Sequence, residues 1–194
     1  MSIKLSDRAK GFTLVEIIIV VAITALLTGV LFSHSQRSRE QINLNIEKAK
    51  IAQLIGRTKS LAIAGFTDPP TIPPPCAYGF EIDHIRNTYG IFTYDDPNIS
   101  CRDISNIKSL NTRFFKYLDP VEPVHPDIDI LAGPAFTAST DVVSYILLIP
   151  PELNVLLFGD SANLRSSGGA IYLQTQDGSF KSEIRISANG QLSF

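Results

Sequence analysis

The chain has 194 residues, a formal charge of −2, and 44% hydrophobic against 19% charged residues. With an apolar stretch near its start set aside, about 160 residues remain, enough for one soluble domain with its own core. A balance on the acidic side excludes the broadly basic surface that nucleic acid attracts, leaving room only for a local patch.

Residues 1–11 are short and basic, with Lys4, Arg8 and Lys10 against Asp7. From Phe12 to Phe32 there follow about 21 residues without one Lys, Arg, Asp or Pro. That is close to the roughly 20 a helix needs to cross the hydrocarbon of a bilayer. One acid, Glu16, interrupts the run near its beginning. A lone carboxylate in an apolar medium is costly, so it marks a function and calls for a partner. An ordinary secretory signal would have a shorter apolar region and small residues before its cut. A plain membrane anchor explains the length of the run but not Glu16.

Lys10-Gly-Phe-Thr-Leu-Val-Glu16 resembles the processing and assembly motif of type IV prepilins and pseudopilins. The resemblance covers about the first 50 to 60 residues. It implies that a prepilin peptidase cuts between Gly11 and Phe12, that Phe12 becomes an N-methylated terminus, and that the apolar helix packs into the core of a filament. Glu16 is then the buried acid of that family, four residues from the new terminus and within one helical turn of it. Pairing with the terminal amine of a neighbouring subunit would neutralise both charges and set the register of docking. The implied fold is α+β, a pilin fold with a long N-terminal helix packed against a C-terminal antiparallel sheet domain. The divisions are a leader (1–11), a transmembrane and assembly helix (12–32), its amphipathic continuation (33–65) and an exported β-rich domain (66–194).

No proline occurs before Pro69, so the helix is expected to run on past the membrane; residues 12–64 would reach roughly 80 Å at 1.5 Å per residue. Gly29 and Ser33 are the places where it could loosen. Ser33 stands where many major pilins have a proline, which favours a pseudopilin or minor subunit. The outer half carries two apolar stripes. Ile42, Ile46, Ala49, Ala52 and Ile63 fall on one side, and Leu44, Ile51, Ile55 and Ala62 nearly opposite. One stripe suits a sheet and the other neighbouring subunits.

Phe66–Pro75 reads as an extended, proline-rich connector. Tyr78–Ile82 and Thr88–Tyr94 read as strands joined near Arg86-Asn87, and Asp95–Asn98 as a turn, with calcium ligation the weaker alternative. A strand is expected at Thr112–Leu118 and another where Asp127 and Asp129 alternate with Ile128 and Ile130. Between them lies a second proline-punctuated crossing, Asp119–Pro126. Val142–Ile149 and Leu153–Phe158 read as apolar strands. Ala170–Gln176, Phe180–Ser187 and Gln191–Phe194 form a meander across Asp177-Gly178 and Asn189-Gly190, turns in which both positions are expected at positive φ. Cys76 and Cys101 both fall in the exported part, where a disulfide closing about 25 residues is allowed; free or buried thiols are the alternative.

No catalytic constellation stands out. Phe158–Ser161 lacks the frame of a nucleophile elbow, and Ser166–Gly169 lacks the Lys-Ser/Thr of a phosphate loop. Arg165, Lys181 and Arg185 read as scattered surface charges, and His34, His84 and His125 have no ligand-like spacing. No enzyme activity, cofactor or metal is expected. A helix running into Ser60-Leu-Ala-Ile-Ala64, a Cys-x-Tyr-Gly-Phe strand start at Cys76–Phe80 and a β-rich C-terminus ending in short hairpins loosely resemble the layout of the GspH/FimT-type minor pseudopilins. The partners implied are the prepilin peptidase and methyltransferase, other pilin or pseudopilin subunits, an inner-membrane assembly platform and lipid, with nucleic acid disfavoured. The location implied is the cytoplasmic membrane with the C-terminal domain outside, as the basic leader directs, and then the filament. A major pilin and a membrane-tethered binding domain are the alternatives.

Overall fold

The computed structural model describes residues 13–67, 75–131, 142–165 and 167–194, and the fold is α+β. The chain divides into two compact units, Met1–Arg39 and Glu40–Phe194. One helix, α1 (Leu14–Thr67), begins in the first unit and ends in the second, without a break at Gly29 or Ser33. It runs two residues into the expected connector; residues 68–74 of that connector lie outside the described part.

Among the described residues the second unit holds eleven strands. The first five are β1 (Ala77–Asp83), β2 (Thr88–Tyr94), β3 (Phe115–Tyr117), β4 (Glu122–Pro123) and β5 (Ile128–Leu131). They are followed by β6 (Tyr145–Ile149), β7 (Asn154–Phe158) and β8 (Leu164–Arg165), then β9 (Gly169–Thr175), β10 (Lys181–Ile186) and β11 (Leu192–Ser193). They form two antiparallel sheets, so the expected antiparallel sheet domain is double. The first has seven strands, ordered β3-β2-β1-β6-β7-β8 with β4 also on β2; the second has four, ordered β11-β10-β9-β5. The division arises because β5 pairs with β9, matching Ile130 to Leu173, and so leaves the strands on either side of it in sequence.

The helix between Glu40 and Thr67 explains why both sheets lie beneath it. Leu44, Glu47, Ile51, Ile55, Thr58 and Ala62 are buried, at the three- and four-residue spacing of one helical face. Their apolar members share a core with Phe80, Tyr89 and Ile146 of the first sheet and Ile130, Leu173 and Ile184 of the second. In β10, Ile184 and Ile186 are buried while Lys181 and Arg185 are exposed, the alternation that a one-sided sheet requires. A second core lies on the other face of the first sheet, where Phe92, Tyr94 and Phe158 are covered by Ile104, Ile107 and Leu110. The Phe92 ring fits there because Gly79 has no side chain; a Cβ at that position would run into it. The covering loop is tied down by a Cys76–Cys101 disulfide, with Cα atoms 4.9 Å apart.

Three local expectations change. The expected strand over Thr112–Leu118 shrinks to β3, because Thr112–Phe114 is a tight 3-10 turn whose cap, Asn111, accepts from the Arg113 N–H at 3.2 Å. Val142–Ile149 shrinks to β6, since Val142 makes only an isolated bridge to Ala170. In the Asp-Gly and Asn-Gly turns only the glycines, Gly178 and Gly190, have positive φ. Both loops exceed two residues: Gly178 N–H reaches Thr175 O, and Gly190 N–H reaches Ser187 O, each at 2.8 Å. Type I turns followed by a left-handed glycine need only one such residue.

Candidate functional site

Thr13 and Glu16 form a reciprocal cap at the start of α1. The Glu16 N–H donates to Thr13 Oγ1 at 3.3 Å, and the Thr13 N–H donates to Glu16 Oε2 at 3.2 Å. The Thr13 hydroxyl also donates to the same carboxylate oxygen at 3.3 Å. Thr-x-x-Glu is the capping box, which satisfies two backbone donors at a helix start and places negative charge at the positive end of its dipole. Both residues are exposed. Gly11 and Phe12 lie outside the described residues.

After the cap, every large apolar side chain from Leu14 to Phe32 is between 51% and 74% exposed. A surface bare on all sides of a helix demands lipid or other protein around it. The two hydroxyls in this stretch are satisfied within the helix. Thr24 Oγ1 donates to Val20 O at 2.9 Å, and Thr28 Oγ1 donates to Thr24 O at 2.7 Å. That self-sufficiency is what an apolar medium requires of any polar group. Among the described residues one helix is long and apolar enough to cross a membrane.

In the second unit the helix presents its other stripe outward. Ile42, Ile46 and Ile63 are about half exposed, opposite the buried face. The inward face holds a residue that the stripes alone did not reveal. Glu47 is buried; its Oε2 accepts from the Tyr89 hydroxyl at 3.1 Å and its Oε1 from Lys50 Nζ at 2.8 Å. Its spacing, three residues after Leu44 and four before Ile51, is the signal that places it on that face. Burial and the adjacent carboxylate push the Tyr89 pKa up from its usual value.

Two further polar clusters lie on the first sheet. The Tyr117 hydroxyl donates to Glu81, whose carboxyl pKa is raised chiefly by burial. His84, Ser144 and Asp160 meet at the ends of β1, β6 and β7. The His84 Nε2 is 3.1 Å from Ser144 Oγ and 3.2 Å from Asp160 Oδ1. Both partners therefore sit on one ring nitrogen and Ser144 is buried, so the trio lacks the nucleophile, base and orienting acid in series that acyl transfer needs.

The Asp95–Asn98 segment is a turn in which Asp96 Oδ1 accepts from the Asn98 N–H at 2.9 Å. Asp95 lies beside Cys76 and Cys101, whose sulfurs are bonded to each other and so offer no thiolate. Arg185 pairs with Glu183 at 2.7 Å, as a surface charge would. Arg165 departs from that expectation: it is half-buried, with its guanidinium lying against Gly159.

Comparison with known proteins adds one match. Residues 6–32 fit the family model described as the prokaryotic N-terminal methylation motif. No curated protein and no solved structure matches the chain.

Proposed function

The chain carries the methylation motif of the type IV pilin and pseudopilin family, and from that premise we propose that it is a structural subunit of a pilus or pseudopilus and not an enzyme. The observation that carries the reading is the pairing of this motif with a helix whose apolar side chains are bare from Leu14 to Phe32. Such a surface is at home first in a bilayer and then among like helices. On this reading the prepilin peptidase cuts between Gly11 and Phe12, and the terminal amine is methylated. The subunit crosses the cytoplasmic membrane once with its β-rich domain outside, and an assembly platform draws it into the filament. Glu16 meets the amine of a neighbouring Phe12 there. The absence of proline at Ser33 supports a pseudopilin or minor subunit over a major pilin, and the loose likeness around Ser60–Ala64 and Cys76–Phe80 points to the GspH/FimT type.

The experiment is quantitative mass spectrometry of sheared filaments and of membranes from the native cell, including the N-terminal peptide. Methylated Phe12 with trace amounts in filaments is the expected result. Dominance in the filament would make the chain a major pilin. Retention of Met1, with the protein confined to membranes, would overturn the filament reading in favour of a tethered domain.

A further inference from the structure

The turn between β1 and β2 is hydrogen-bonded to both sheets. Asp83 Oδ1 accepts from the N–H groups of both Ile85 and Arg86 at 2.9 Å, so the turn is fixed from within. Its side chains then reach out in two directions. His84 meets Ser144 and Asp160, as described above, and Ser144 also donates to Asp160. The Ser144 backbone bridges the same sheet, accepting from Ile82 N and donating to Phe158 O, each at 2.8 Å. On the other side Asn87 Nδ2 donates to Ile128 O at 2.7 Å, and Asn87 Oδ1 accepts from Ile130 N at 2.9 Å. These are backbone groups of β5, an edge strand of the second sheet. Five residues thus tie the first sheet to itself and to the second.

We propose that this turn is an acid-released clasp: neutral His84 holds it shut, and uptake of a proton by His84 opens it and frees β5 from Asn87. The imidazole is 4% exposed. With Nε2–H directed at the Asp160 carboxylate, a second proton must go to Nδ1, which is buried with no hydrogen-bond partner. Among the described residues the ionisable groups that act on the ring are Asp160, beyond β7, and Asp83 on its own turn; Asp83 is in turn paired with Arg86, and both carboxylates act on Tyr145 of β6. Burial lowers the His84 pKa; Asp160, Asp83 and the Val143 backbone favour the charged ring without overcoming it. The unfolded chain therefore binds the proton more readily than the folded one. The clasp's contribution is complete above the free value of 6.5 and is lost as pH falls below it.

The test is amide hydrogen exchange by NMR on the full chain in detergent micelles, read at Ile82 and Ile130 against Phe80 and corrected for intrinsic rates. From pH 7 to pH 5, protection at Ile82 and Ile130 is expected to fall while Phe80 holds. In His84→Gln, which keeps a donor toward Asp160 but cannot titrate, the fall is expected to vanish. The His84 ring resonance supplies a check on the unaltered protein, with a midpoint below 6.5 that coincides with the loss of protection. Flat protection, an equal loss in His84→Gln, or a His84 midpoint at or above the free value would each overturn the clasp.

Discussion

At the scale of single residues, the cap that Glu16 makes with Thr13 and the pairing proposed for its charge can be separated by one substitution. Gln is also a capping-box residue, so Glu16→Gln keeps the helix start but removes the charge. If the acid works by pairing with a neighbour's amine, Glu16→Gln is expected to be stable in the membrane yet depleted from filaments. Breaking a buried pair costs about 3–5 kcal/mol, whereas a lost cap costs about 0.5–2 kcal/mol. Normal incorporation of Glu16→Gln, measured by immunoblot of sheared filaments, would leave the acid as a cap alone. Glu47 invites a different experiment. Glu47→Ala leaves the buried Tyr89 hydroxyl without its acceptor, a loss of about 1–3 kcal/mol that denaturant unfolding would register. Gly79→Ala presses a methyl against the Phe92 ring, and overpacking of that kind costs about 1–3 kcal/mol. A melting temperature unchanged by Gly79→Ala would mean that the ring swings aside freely.

Among elements, the disulfide decides how firmly the loop over the second core is held. Replacing both Cys76 and Cys101 with Ser is expected to cost about 2–4 kcal/mol, because the closed loop restricts the unfolded chain. Near-UV circular dichroism of the aromatic cluster around Phe92 and Phe115, whose rings stack 3.9 Å apart, would report any loosening. The helix and most strands were legible because their periodicity is local. The buried face through Leu44, Ile51, Ile55 and Ala62 follows from spacing alone, and the apolar side of β10 from alternation. The split into two sheets was not legible. It depends on β5 choosing β9, about 45 residues onward, and alternation reveals which face is buried but not which strand lies alongside. The lengths of the hairpin loops escaped for a related reason: the side chains of Thr175 and Asp177, bonded at 2.6 Å, draw the chain into a longer turn than Asp-Gly alone implies. His84, Ser144 and Asp160 come together only through the pairing of β1, β6 and β7, so spacing along the chain carried no sign of them.

For the whole molecule, the two units answer to different surroundings. Among the described residues the first exposes nearly every apolar side chain of its helix, and the second buries most of its own, chiefly in two cores. Stability measured in denaturant therefore reports on the second unit, while retention in membranes reports on the first. Glu47→Ala and Gly79→Ala belong to the former measurement. A helix-start variant such as Glu16→Gln belongs to the latter and to filament yield.

The reciprocal cap at Thr13 and Glu16 bears on maturation. Among the described residues, the two that cap the helix, Thr13 and Glu16, follow the Gly11–Phe12 bond in sequence. On the proposed processing, severing that bond would remove Lys4, Arg8 and Lys10 and keep Thr13 and Glu16 on one fragment. If the leader is cut away as proposed, the capping bonds of the mature helix would then be ones that the uncut chain already makes.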